Sequence, residues 1–267
     1  MNKVGVIAGN GKLPLIASQS AHEKGYQVFA CAIKGETDKD IQSVATEILW
    51  VKLGELKKLV RFFKEHSVTQ ICFEGKITKT SIFSKKIKPD LDMILLFSKL
   101  KDRKDDTILG AVCDYLMQKE FYILDSTFFL EKCLPRKGVL TKKKLSKVQE
   151  EDAHFGWTLA KESARLDIGQ SVVIKDKTIL AVEAIEGTDE AIKRGSLLGN
   201  GNVVVVKVAK PNQDMRFDVP TVGPTTVQTM IDSGAMALVF EAEKTIFIEQ
   251  DRLIQMANKE HIAIVGF

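Results

Sequence analysis

Val4-Gly5-Val6-Ile7-Ala8 is an unbroken apolar run that ends in Gly9-Asn10-Gly11. A run without polar alternation suits a strand buried on both faces, as in a parallel sheet covered by helices. Leu13, Ile16, Ala17 and Ala21 then recur at helical spacing over 13–24, and Gly25 stops that helix. Tyr26 to Ile33 follows as a second strand. Parallel neighbours need a crossover, so these first residues read as a β-α-β unit. The alternation continues with a helix over 53–66, a strand over 68–73, a helix over 107–119 and a strand over 121–124. The expected fold is α/β, a Rossmann-like parallel sheet with helices on both faces.

The second half has a different grammar. Residues 134–147, LPRKGVLTKKKLSK, carry a proline, a glycine and six basic residues and read as a linker. A helix over 149–166 follows, then a hairpin of 170–174 and 178–184 about Lys175-Asp176-Lys177. Helices over 188–194, 225–233 and 251–259 mix with strands over 203–208, 237–240, 245–248 and 262–265. The expectation is an N-terminal Rossmann-like domain (1–133), a linker (134–147) and an α+β catalytic domain (148–267). A chain of 267 residues is long enough for two modest cores.

The net charge of +4 is too mild for a nucleic-acid binder, which needs a concentrated basic face. Cys31, Cys72, Cys113 and Cys133 form no C-x-x-C pair, and His22, His66, His154 and His261 are scattered. This pattern fits free thiols in a reducing compartment and offers no zinc spacing. The amino terminus runs directly into a strand pattern, and no stretch reaches the ~20 apolar residues of a membrane span. A cytoplasmic protein is expected.

Several places could carry chemistry. Gly9-Asn10-Gly11 lies between a strand and a helix, where a phosphate can approach the backbone N–H groups. Pro14 replaces the third glycine of G-x-G-x-x-G, which favours a smaller phosphorylated ligand over a dinucleotide. Lys12 suits an anion; a plain tight turn is the alternative. Glu74-Gly75-Lys76 closes a parallel strand, at the edge where α/β ligands bind. Asp105-Asp106 opens a helix; one Asp suffices for a cap, leaving the other for a metal or a hydroxyl. In Glu183-Ala184-Ile185-Glu186-Gly187-Thr188-Asp189, Thr188 or Asp189 can cap the next helix, leaving Glu183 and Glu186 for metal or proton transfer. Residues 77–104 hold eight Lys and Arg against three Asp, interleaved with Ile82, Phe83 and Leu96 among other apolar residues. Such a stretch suits anionic lipid, or a core helix with a solvated basic face, and Pro89 divides it into two short helices.

The richest run is KPNQDMRFDVPTVGPTTV, residues 210–227. Pro211, Pro220 and Pro224 stiffen it around Asp214, Arg216 and Asp218. Acids beside Lys210 and Arg216, next to a helix start at Pro224-Thr225-Thr226, have the parts of a Mg2+ phosphoryl-transfer site. A salt-bridged loop is the competing reading.

These blocks resemble the LpxI family of UDP-2,3-diacylglucosamine pyrophosphatases of lipid A synthesis. The resemblance rests on IAGNGKLP (7–14), EGKIT (74–78), KDDTIL (104–109), DIGQSVV (167–173), EAIEGTDEAIKR (183–194) and, above all, residues 210–227. The family has GDD where this chain has Lys104-Asp105-Asp106, and RP where it has Thr78-Lys79. The resemblance implies a Rossmann-like first domain, an unusual second domain and a lipid ligand between them. It also implies Mg2+-dependent hydrolysis to UMP and 2,3-diacylglucosamine 1-phosphate, lipid X, with water attacking the sugar-side phosphorus.

By motif, the essential Asp of the family is Asp218, expected to hold Mg2+ and orient water. Asp214 and Glu186 are the supporting acids and metal ligands, and Lys210 and Arg216 neutralise phosphate. Gly11, Lys12, Gly75, Lys76, Asp105, Asp106, Thr188, Asp189 and Thr225 are the expected substrate-binding residues. Some of Ile82, Phe83 and Leu96 would line an acyl groove, with peripheral contact at the cytoplasmic face of the inner membrane. A homodimer is left open. The rival readings are a nucleotide-sugar or lipid carrier without turnover, and a Rossmann oxidoreductase.

Overall fold

In the computed structural model, Asn2–Ala8 forms the first strand (β1), and the structure describes residues 2–77, 89–102 and 104–267. The expectations for Thr78, Lys79, Ile82 and Phe83 lie outside the described residues, as does the side chain of Asp105. The chain divides into two units. The first comprises residues 1–130 together with Met215–Asp218; the second comprises Glu131–Asp214 and Val219–Phe267.

In the first unit, β1 leads through α1 (Leu13–Glu23) to β2 (Tyr26–Ile33). Then come β3 (Glu47–Val51), α2 (Leu56–Glu65), β4 (Gln70–Glu74), α3 (Leu91–Ser98), α4 (Asp105–Gln118) and β5 (Tyr122–Ile123). The strands run parallel in the order β3-β2-β1-β4-β5. The α/β expectation holds, and the order reverses direction at β1. The C-terminal ends of β1 and β4 therefore flank the switch point of a doubly wound sheet, where ligands of such folds bind. Strand β3 has no counterpart in the sequence reading, because Glu47 is exposed and the next three residues are only half-buried, as befits an edge.

Leu96 on α3 does not line a groove. It packs with Met93 into the core of Phe29, Phe63, Ile71 and Leu116. The exposed apolar residues of that helix are instead Leu91 (65%), Ile94 (49%) and Leu95 (59%), one stripe at helical spacing.

The second unit holds β6 (Gly138–Val139), α5 (Lys147–Arg165), β7 (Ser171–Lys175), β8 (Thr178–Val182), α6 (Thr188–Leu198) and β9 (Val204–Lys207). It continues with β10 (Thr221–Val222), α7 (Pro224–Ser233), β11 (Ala237–Phe240), β12 (Ile246–Phe247), α8 (Gln250–Lys259) and β13 (Ala263–Gly266). Six strands form one mixed sheet, β6-β13-β11-β9-β7-β8, and β10 pairs with β12. Strands β9, β11 and β13 are parallel, and the β7–β8 hairpin adds to them antiparallel.

The run Val203-Val204-Val205-Val206 explains itself here. Val203 and Val205 enter a core with Ile192, Val227 and Leu253, while Val204 and Val206 enter another with Ala153 and Ala160 of α5. A strand covered on both faces needs no polar alternation. Helix α5 starts before the expected Gln149: Ser146 caps it and Gln149 reaches back to the Ser146 N–H, a reciprocal capping box. Within 134–147, Gly138 and Val139 pair with β13 as an edge strand.

Candidate functional site

The loops after β1 and β4 are knitted together. Gly9 N–H donates to Glu74 O (2.8 Å), Asn10 N–H to Lys76 O (2.7 Å) and Lys76 N–H to Asn10 O (3.1 Å). Asn10 Nδ2 reaches Glu36 O beyond β2 at 3.2 Å, and Thr37 Oγ1 donates to Ala8 O at 2.5 Å. Three loops thus brace one another at the C-terminal edge of the sheet. Gly11, Lys12, Gly75 and Lys76 are brought together there and are exposed. Helix α1 begins beside them with Pro14 near its start and no side chain capping its N–H groups. A helix start of this kind presents N–H donors and partial positive charge to an anion.

Beneath these loops Glu74 is buried (2% exposed), and among the described residues no N–H or O–H reaches either carboxyl oxygen. Burial pushes its pKa well above the ordinary carboxylate range, with the adjacent Cys72 thiol opposing, so the fold favours the protonated form. The folded chain thus keeps a proton that the unfolded chain releases above about pH 4.5. Stability falls as pH rises through this window, by about 1.4 kcal/mol per unit, until the folded group ionises. Glu74→Gln removes that dependence. The variant is expected to melt above wild type at pH 8, with the gap closing toward pH 4.5, in parallel thermal melts. A gap that ignores pH would mean Glu74 carries no buried proton.

Helix α4 takes Lys104 as its N-cap, without a side-chain cap bond. Asp105 and Asp106 are therefore first-turn positions, and neither is the cap expected from the sequence.

Met215–Asp218 pack with the first unit although the chain around them belongs to the second. Ser126 N–H donates to Met215 O at 2.8 Å, and Phe217 is buried in the core of the first unit. The Arg216 guanidinium lies 5.9 Å from the Phe217 ring centroid and contacts Met117 Sδ. Asp218 is exposed and sits in the left-handed region (φ 50°), between buried Phe217 and buried Val219. Two anchored neighbours hold an exposed carboxylate in a conformation that Asp tolerates better than most residues.

In the second unit, Lys210 is held by Asp167 at 2.8 Å and Asp214 is half-buried. Glu186 has its pKa drawn down by its own backbone N–H and by Arg194, which meets its carboxylate at 2.7 Å. Thr188 does not cap α6; Gly187 does. Thr188 Oγ1 instead donates to Glu183 Oε1 (2.8 Å) and receives the ammonium of Lys207 (2.6 Å). Asp189 follows in the first turn of α6, and Thr225 is exposed in the first turn of α7, after Pro224.

Lys207, Lys161 and Glu241 had no place in the sequence reading, and Asp167 and Ser171 entered it only as part of the DIGQSVV block. Lys207, 6% exposed, also donates to Ser171 Oγ at 3.3 Å. A lysine ending a run of four valines was the available signal, because a strand buried on both faces forces its terminal charge to find partners. Among the described residues no three His, Cys, Asp or Glu side chains gather as a metal site, and no helix is long and apolar enough to cross a membrane.

Comparison with known proteins gives two kinds of likeness. Solved structures resemble the chain only distantly. N5-carboxyaminoimidazole synthetase from Staphylococcus aureus complexed with ADP is 16% identical, with a TM-score of 0.27 over 56% of this chain and 34% of that one. N5-carboxyaminoimidazole ribonucleotide synthetase from Thermotoga maritima is 15% identical, with a TM-score of 0.27 over 68% and 41%. The chain spans less than half of either, and likeness at this level carries no argument. Sequence likeness runs end to end: a Caulobacter vibrioides protein described as UDP-2,3-diacylglucosamine pyrophosphatase LpxI is 27% identical over 278 residues, 100% of this chain and 98% of that one. The family model for the LpxI N-terminal domain matches residues 3–133, and that for the LpxI C-terminal domain matches 136–265. With nearly every residue accounted for by those two consecutive matches, the chain belongs to the LpxI family.

Proposed function

We propose that this chain hydrolyses the pyrophosphate bond of UDP-2,3-diacylglucosamine, releasing UMP and 2,3-diacylglucosamine 1-phosphate for lipid A synthesis in the cytoplasm. The observation that carries the reading is the end-to-end match to the Caulobacter relative, together with both LpxI domain matches. In the reaction a water oxygen bonds to one phosphorus while the bridging P–O bond breaks. The bridging oxygen leaves with the other phosphate, and the proton lost by water passes to solvent.

The exposed carboxylate of Asp218 is suited to orient that water and, with Asp214, to hold Mg2+. Mg2+ is commonly held by one or two carboxylates, waters and substrate phosphates, which is the kind of donor that these two acids supply. When bound, the ion would neutralise charge on the phosphate oxygens. The remaining work falls to the chain. Gly11, Lys12, Gly75 and Lys76 receive phosphate at the switch point, and Arg216 and Lys210 offset developing negative charge. Asp105, Asp106, Thr188, Asp189 and Thr225 take hydroxyl and amide groups of the substrate. The apolar stripe Leu91, Ile94 and Leu95, followed by exposed Lys99, Lys101 and Lys104, supports contact with an anionic bilayer.

One experiment addresses the reading. Substrate is dispersed in phosphatidylglycerol-containing vesicles with Mg2+, and UMP is followed by chromatography. UMP release that stops with EDTA is expected, with protein floating alongside the vesicles. A wild type that binds substrate without turnover would favour a carrier. Protein left in the aqueous phase would remove membrane contact from the proposal.

A further inference from the structure

The loop that carries Lys210, Asp214, Arg216 and Asp218 begins just beyond Ala209, and that residue is held unusually firmly. Its N–H donates to Glu241 Oε2 at 2.8 Å, and its C=O accepts from Lys161 Nζ at 3.0 Å. Lys161 and Glu241 are themselves an ion pair. They come from different elements: Lys161 from α5, and Glu241 from the residue after β11. The ammonium of Lys161 lies 5.7 Å from the Trp157 ring centroid, and Glu241 also meets Lys244 at 3.1 Å. Ala209 itself is fully buried. One residue thus has its backbone donor and acceptor, which belong to two successive peptide groups, taken by opposite charges that neutralise each other. The next two residues extend the restraint, because Lys210 is tied to Asp167 at 2.8 Å and Pro211 has a fixed φ.

Stability alone does not call for this arrangement. A largely buried ion pair repays its desolvation poorly, and apolar residues of similar volume often serve the fold as well. Charge-assisted hydrogen bonds, however, are short and directional, which suits fixing a backbone in one place. A shift of about 1 Å in a reacting group can cost about a hundredfold in rate.

We propose that Lys161 and Glu241 are positioning residues, a charged clamp on the backbone at Ala209 that fixes where the 210–218 loop begins and so where Lys210 meets the substrate's phosphate. The proposal rests on the hydrolase reading for its effect on rate, but not for the clamp itself.

The test compares wild type, Lys161→Arg and the double variant Lys161→Met/Glu241→Leu, each as the full chain. The double variant removes both charges together, so no unpaired buried charge remains to unfold the unit. Two quantities are read: kcat and KM for UMP release, and hydrogen exchange of peptides spanning 208–218 without substrate. The double variant is expected to lose about ten- to a hundredfold in kcat with KM within about threefold, while exchange at 208–218 quickens and exchange in β11 and β13 stays as in wild type. Lys161→Arg, which keeps the ion pair, should stay near wild type in both. Unchanged exchange at 208–218 in the double variant overturns the clamp. Faster exchange throughout the second unit overturns it too, since the pair would then serve stability. Faster local exchange with unchanged kcat overturns the role in catalysis. If wild type releases no UMP, the hydrolase reading fails, and the exchange measurement still decides whether the clamp exists.

Discussion

Asp218→Asn is expected to lower kcat for UMP release by about a thousandfold while leaving the melting temperature within about two degrees of wild type. The reasoning separates charge from shape. Asp218 is exposed and has φ 50°, so its side chain contributes little burial but occupies a backbone region closed to most residues. Asn tolerates that region as well as Asp, so the substitution removes the negative charge while keeping side-chain size and backbone conformation. Asp218→Ala would add backbone strain of about 1 kcal/mol and blur the result. Parallel thermal melts and steady-state kinetics are the checks. An Asn variant with more than a tenth of wild-type kcat would remove Asp218 from the chemistry.

Gly75→Ala is expected to disable the first unit's phosphate edge. Gly75 has φ +80°, and a Cβ there would lie 2.5 Å from Asn10 O and 3.1 Å from Pro14 Cγ. Neither neighbour can yield cheaply. Asn10 O accepts the Lys76 N–H that joins the two loops, and Pro14 stands at the start of α1. Strain and clash together are expected to cost about 2–4 kcal/mol, a fall in melting temperature of about 5–15 °C. UMP should bind at least about tenfold more weakly, because the N–H groups that would receive its phosphate no longer share one frame. Gly11→Ala is the control. Its φ is +98°, but no atom lies within 4 Å of the added carbon, so it carries backbone strain without the clash. If Gly75→Ala melts no lower than Gly11→Ala, the tight packing of the two loops is not what holds the edge.

The sequence by itself determined whatever depends on neighbours in the chain. The run from Val4 to Ala8, the helix spacing from Leu13 and the strand from Tyr26 made a β-α-β unit readable, because strand burial and helix periodicity leave local marks. The four valines from 203 to 206 likewise announced a strand covered on both faces. The glycines at 9, 11 and 75 and the block 210–227 marked where ligand chemistry could sit.

Tertiary structure decided what depends on distant partners. Phe217 is one aromatic ring in a polar stretch and reads as loop, yet it is buried in a core built by residues such as Phe63, Val112 and Leu116. That burial assigns Met215–Asp218, and with them Asp218, to the first unit. Lys161 and Glu241 are 80 residues apart, and nothing near either one in the sequence names the other. Glu186 was singled out from its local sequence alone, and only the fold shows that Arg194 reaches its carboxylate. Hydrophobic periodicity is written along the chain, whereas the pairing of charges and the docking of a loop are settled only when the fold closes distances that the sequence does not record.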